Sequence, residues 1–180
     1  VLSRTESHCT ICFAVTDLEE YGIAGGRQLA RRLSREGVTI RAMLSLEMIG
    51  YTSDEPGVQK YPLFLRAFYP STADFVALVG NWRSRQLLKR VERAFCMVPD
   101  LPVETLTVPF DGWMLPATRL SDHAPFWDHG YPALMVTDTA FFRNPHYHQP
   151  TDTAETLDFA FLTRVTEAVA RTLLAEATSV

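Results

Sequence analysis

Three things are scarce in this 180-residue chain, and each scarcity closes off a class of protein. Cysteine occurs only as Cys9, Cys12 and Cys96, and an odd, small number of cysteines is not a disulfide framework. Positive charge is in deficit: 17 Lys and Arg against 21 Asp and Glu leave a formal net charge of -4. That balance lacks the basic footprint of a nucleic-acid binder. The few basic clusters, such as Arg27, Arg31 and Arg32, are diluted by acids and read as a solvated helix face. Long apolar runs are missing, so no segment is expected to span a bilayer. No export leader is visible, which has little weight in a chain that begins at Val1 rather than Met.

What is present is enough for one folded domain. Hydrophobic residues make up 47% of the chain and charged residues 21%, which supports a real core. Aromatics at 11% argue against disorder. Residues 10–16 form a β-branched, apolar run that predicts a strand. In a strand Cys9 and Cys12 would point to opposite faces, so the reading is two buried structural thiols rather than a metal pair. A helix follows, with Leu29, Ala30 and Leu33 on one face and Gly37 as its stop. Residues 38–46 predict a second strand, apolar enough to be buried on both faces. Residues 51–70 read as a long loop.

Further strands are expected at 74–79, stopped by Gly80-Asn81, at 103–108 and at 133–137. Helices are expected around Leu87, Leu88, Val91 and Phe95, from Ser121-Asp122 onward, and at 158–175. Residues 109–116 and 141–153 are loops. This alternation predicts an α/β fold, three layers α/β/α with a mainly parallel central sheet. No repeat or linker divides residues 1–180, so a single domain is expected.

Sites in such sheets form beyond the carboxyl ends of strands, and chemistry-bearing residues cluster there. Glu19-Glu20 follows the first predicted strand. These acids either complement a helix macrodipole or serve as a metal carboxylate and its neighbouring general base. Glu47 ends the second strand, where a carboxylate must be solvated or paired. His146, Tyr147, His148 and Asp152 lie in a loop stiffened by Pro145 and Pro150. A lone loop histidine is usually surface, but neutral imidazole is also a common zinc ligand. Ser121, Asp122 and His123 read equally as a helix cap or as pocket residues.

Four blocks in order carry more than any one of them. They are Glu-Glu-x-Gly-x-x-Gly-Gly from Glu19, Glu-Met-Ile-Gly-Tyr from Glu47, Ser-Asp-His-x-x-Phe-x-x-x-Gly-x-Pro-Ala from Ser121, and Tyr-His-x-Pro-x-Asp-Thr from Tyr147. This series resembles the co-catalytic zinc aminopeptidases, whose relatives include bacterial secreted aminopeptidases, glutamate carboxypeptidases and glutaminyl cyclases. The resemblance implies a zinc-exopeptidase fold, two Zn2+ ions in a complete enzyme, and a peptide or aminoacyl substrate cleaved at its N-terminal residue. It implies Glu19 as the general base, Glu20 and His148 as ligands of one zinc, and Glu47 as a ligand of the other. Many relatives have Asp at the Glu47 position. It implies Tyr147 as oxyanion stabiliser, with Ser121, Asp122 and His123 shaping the substrate pocket.

The front of the chain departs from that pattern. The family's upstream His-x-Asp and its later Asp-Asn loop have no match before Thr16, and His8 is not assigned as a ligand. The expectation is a partial metal site, with N-terminal strands missing from a longer enzyme. Two alternatives are a ligand supplied by a separate segment and a domain that has become noncatalytic. A glutaminyl cyclase-like acyltransferase is a further alternative, although that relative tends to have Trp where Tyr147 stands. Relatives are often exported, so a periplasmic or extracellular setting follows from resemblance. Residues 51–70 with Phe110, Trp113, Phe141 and Phe142 are read as loop or core anchors before pocket walls.

Overall fold

The computed structural model describes residues 7–62 and 64–178. Its regular elements are α1 (Ala24–Arg35), β1 (Met43–Glu47), β2 (Val76–Asn81), α2 (Arg85–Phe95), β3 (Val103–Val108), α3 (His123–Asp128), β4 (Ala133–Thr137) and α4 (Phe159–Thr178). The strands form one four-stranded sheet in the order β1-β4-β2-β3. β1 pairs with β4 and β2 with β3 in parallel, while β2 runs antiparallel to β4. The sheet is mixed and mostly parallel, with helices on both faces.

Period-two alternation decides which helix each face meets. In β4, Leu134 and Val136 join Val76 and Leu78 against Leu87, Leu88, Val91 and Phe95 of α2 and Phe161, Val165 and Ala168 of α4. Ala133 and Met135 turn the other way, toward Ala30 of α1 and Phe126 and Trp127 of α3. Every residue of β4 is therefore buried, as two covered faces require. Full burial of a side chain such as Phe161 or Val165 stabilises the domain by about 2–3 kcal/mol.

Two expected strands are corrected. Residues 10–16 are irregular, and Phe13 and Val15 are 75% and 102% exposed. A strand needs a ladder partner to satisfy its amides and carbonyls; β1, the nearest strand in sequence, pairs with β4 and, among the described residues, with no other strand. The thiols change with it: Cys12 is exposed, and Cys9 is half-buried with its sulfur 3.9 Å from the Glu176 carbonyl. The second strand is shorter than expected, starting at Met43. It occupies a sheet edge among the described residues, and its Leu46 is 50% exposed rather than buried.

Gly80 and Asn81 continue β2 instead of stopping it. A Cβ at Gly80 would meet Leu134 Cδ2 at 2.6 Å, so glycine is what lets β2 lie against β4's side chains. Asn81 then turns the chain into α2 by accepting the Ser84 amide at 2.9 Å.

Candidate active site

The carboxyl ends of β1 and β4 lie side by side, with Glu47 in register with Thr137. The residue after Thr137 locks both exits. Asp138 is 1% exposed, and its carboxylate accepts the amides of Gly50 at 3.0 Å, Tyr51 at 2.8 Å and Ala140 at 2.9 Å. Its own amide donates to the Met48 carbonyl at 2.6 Å. Burial raises the Asp138 pKa while those amides and Arg143 oppose it.

Arg143 is the second fastening. Its Nε donates to Gln59 Oε1 at 2.9 Å and Thr139 Oγ1 at 3.0 Å, and its Nη1 to the carbonyls of Ala73 at 3.1 Å and Phe75 at 2.9 Å. Burial pulls its pKa down to about 10, so it stays cationic at neutral pH. Neither residue was singled out from the sequence. In hindsight, an acid directly after a fully buried strand is the sequence signal for Asp138, although its partners are not readable there.

From Arg143 the chain folds into tight turns. Asn144 Oδ1 accepts the His146 amide at 2.9 Å, and His146 Nδ1 meets Thr151 Oγ1 at 2.9 Å. His148 takes a left-handed conformation, φ 56°, and its ring stacks on Tyr147 with centroids 3.9 Å apart. That places His148 Nε2 2.8 Å from Glu20 Oε1, a contact across 128 residues of chain.

Glu19 and Glu20 occupy a turn ahead of α1, and no acid lies in that helix's first turn. The macrodipole reading of the pair is therefore set aside. The glycines of this block have steric reasons. Gly22 has φ 81°, which favours glycine. A Cβ on Gly25 would fall 2.6 Å from the Asp17 carbonyl oxygen, and one on Gly26 would fall 2.1 Å from Asp122 Oδ1.

One electrostatic neighbourhood results. Burial, followed by Glu47, Glu20 and Asp122, pushes the Glu19 carboxyl up to about 7, with His148 pulling the other way. Burial also raises Glu47; a hydrogen bond with Ser121 opposes that, and Glu20, Asp122 and Asp138 add to it. Tyr147 is raised by burial and then by Glu20, Glu47 and Glu19. The sequence-predicted Glu19, Glu20, Glu47, Tyr147 and His148 thus converge.

Ser121, Asp122 and His123 lie behind this group. Ser121 Oγ is 2.8 Å from Ser45 Oγ, and Asp122 accepts a hydrogen bond from Thr16 Oγ1. The Asp122 side chain makes no cap for α3. His123 is fully buried, with Nε2 2.8 Å from the Thr118 carbonyl and its ring edge-on to Trp127. Burial drops its pKa to about 4, so the ring is neutral and Nε2 donates.

Beside Glu47 and Tyr147 opens a cleft of about 880 Å³, open solvent included. None of Ser121, Asp122 and His123 lines it. Its walls include Phe141 and Phe142, and the 51–70 loop adds Gln59, Tyr61, Pro62, Leu65 and Tyr69. Tyr61, Tyr69, Phe141 and Phe142 line this cleft, and the hydroxyls of the two tyrosines also anchor the loop. Phe110 and Trp113 are outside the lining and 72% and 67% exposed.

For a zinc ion, the donors fit in kind and fall short in number. Imidazole and carboxylate oppose each other at 2.8 Å, and three further acids act on the same spot. Yet no group of three or more His, Cys, Asp or Glu able to hold a metal exists among the described residues, and a catalytic zinc takes three protein ligands.

The chain trace shares its fold with solved aminopeptidases. It matches the LapA aminopeptidase of Legionella pneumophila with a TM-score of 0.66 at 17% identity, over 92% of this chain and 38% of that one. The chain belongs to peptidase family M28, whose model matches residues 1–173. It is 38% identical over 131 residues to the uncharacterized protein YfbL of Escherichia coli K12, covering 72% of this chain and 40% of that protein. It is 26% identical over 180 residues to a probable zinc metalloprotease of Leptosphaeria maculans, covering 92% of this chain and 42% of that protein. The chain therefore spans about two fifths of the length of these relatives.

Proposed function

We propose that this domain carries the base, the oxyanion donor and part of the metal-holding set of an aminopeptidase that removes the first residue of a peptide. The observation behind this reading is the Glu20–His148 contact at 2.8 Å, set among Glu19, Glu47 and Tyr147. Glu20 and His148 would hold one zinc ion, Glu47 would contribute to a second, and a longer parent chain would complete both sets. Bound there, zinc supplies Lewis-acid polarisation of the scissile carbonyl and a more acidic water.

The chain's own residues do the remaining work. Glu19, with a pKa near 7, is poised to take a proton from the attacking water and pass it to the leaving amine. The Tyr147 hydroxyl stays protonated, since burial and three carboxylates raise its pKa, and donates a hydrogen bond to the developing oxyanion. The aromatic cleft excludes water and receives the side chain of the first residue.

The test is zinc content by elemental analysis after reconstitution, with Glu20→Ala and His148→Ala alongside, and hydrolysis of aminoacyl p-nitroanilides. Stoichiometric zinc lost in both variants supports the site. Zinc retained in both variants overturns it. A second reading, a noncatalytic domain on the same fold, is favoured by the lack of a three-donor group among the described residues. A zinc-loaded full-length parent that hydrolyses no aminoacyl substrate selects that reading.

A further inference from the structure

The cleft has an acidic group at each end. In-register pairing sets Glu47, Thr137, Ala77 and Glu104 in one row across all four strands, so their side chains leave the same face of the sheet. At a strand spacing of about 4.8 Å, the ends of the row are roughly 14 Å apart. The floor between them is Thr137 and Ala77, small residues that leave the space open.

Glu104 has no structural partner there. No hydrogen bond or ion pair engages its side chain among the described residues. Burial raises its pKa, and the one charged group acting on it, Asp74, is also acidic and raises it further. A carboxylate in that setting is relieved by an incoming cation. Two rings stand beside it. Tyr61 and Tyr69 stack with centroids 5.8 Å apart, and both feel the Glu104 charge. Their hydroxyls donate to the carbonyls of Pro70 and Thr105, each at 2.8 Å, which fixes the rings where they line the cleft. The Arg143 charge reaches Tyr61 and Asp74, but the charge acting on Glu104 itself is that of Asp74.

Carboxylate and aromatic faces together recognise cations. We propose that Glu104 makes this cleft select a first residue with a long cationic side chain, lysine or arginine. The proposal rests on the aminopeptidase reading, which puts the scissile bond at the Glu47 end. A leucine side chain ends well short of the far end of the row. The four-carbon stem of lysine and the guanidinium of arginine reach toward it.

The first experiment is equilibrium binding of L-argininamide, L-lysinamide, L-leucinamide and L-norleucinamide to the 180-residue chain by calorimetry, with Glu104→Gln and Glu104→Leu in parallel. The two basic amides are expected to bind about tenfold tighter than the neutral ones. Both variants should lose that preference while keeping affinity for L-leucinamide. Equal affinity for basic and neutral amides in the wild type, no binding of any amide, or a preference that survives in Glu104→Gln overturns the proposal. Hydrolysis of arginyl and leucyl p-nitroanilide by the zinc-loaded full-length parent separates the two readings. Equal rates on both overturn the selectivity alone. No hydrolysis of either, with basic-amide binding intact, overturns the aminopeptidase reading alone.

Discussion

Two regions bring residues to the proposed site, and they are built differently. The loops after β1 and β4 are fastened by buried charge: Asp138 holds three amides, and Arg143 grips three carbonyls and two side chains. The segment leading to Glu19 and Glu20 is irregular and exposed through residues 10–16. Its firm points are the Thr16–Asp122 bond and the turn at Leu18. Glu47, Tyr147 and His148 are thus presented by loops fastened with buried charge, while the proposed base and its neighbour sit on a turn held by backbone bonds to the Asp17, Leu18 and Glu19 carbonyls. The proposed site is shared between a part held by buried charge and a part held by backbone turns.

The sharpest way to break the contrast is at Asp138. Asp138→Ala strands three buried amides and the Arg143 charge, and is expected to cost about 3–5 kcal/mol. Urea unfolding measures that loss, and a drop under 1 kcal/mol would show the frame is held elsewhere. His123 gives the next effect, through pH. The folded protein keeps its ring neutral down to about pH 4, whereas the unfolded ring protonates near 6.5. Between those values the unfolded state binds more protons, so stability is full above 6.5 and falls as pH drops toward 4. The contribution is roughly 3 kcal/mol, and His123→Gln should flatten that part of the stability–pH curve.

On the N-terminal side of the site the effects shrink. Gly26→Ala drives a methyl into Asp122 Oδ1 and is expected to cost about 1–3 kcal/mol. It should also weaken zinc retention more than its stability loss explains, because the turn holding Glu20 must shift. The smallest effect belongs to Val15→Thr: with its side chain fully exposed, it should change the unfolding free energy by under about 0.5 kcal/mol. A loss above 1 kcal/mol would mean residues 10–16 are packed in solution, and the comparison would collapse.

How much of this was legible in the sequence follows the same divide. β3 and β4 match the expected bounds, and α2 lies where Leu87, Leu88, Val91 and Phe95 placed it, because periodicity and burial agree there. Residues 10–16 carry a strand's composition and form none, since pairing is a property of two segments and composition of one. The chemistry-bearing residues were legible as ordered blocks, and the structure brings Glu19, Glu20, Glu47, Tyr147 and His148 together. Asp138 and Arg143 were not legible, because a buried charge is recognised only by partners that arrive from distant loops. The cleft was half legible: residues 51–70 were suspect as a long loop, but Glu104 read as one more polar residue on a strand.

The position of β4 has a consequence for how the chain is made. Among the described residues it is the last strand in sequence and an inner strand in space, pairing Ala133 with Met43 and Met135 with Val79. As the chain emerges from a ribosome, β1 on one side and the β2–β3 pair on the other must wait, each with an open backbone edge. Contacts this distant in sequence form slowly, and waiting edges attract other chains. The gap that β4 closes is therefore where nascent molecules are most exposed to one another, and crowding at high expression should be felt there first.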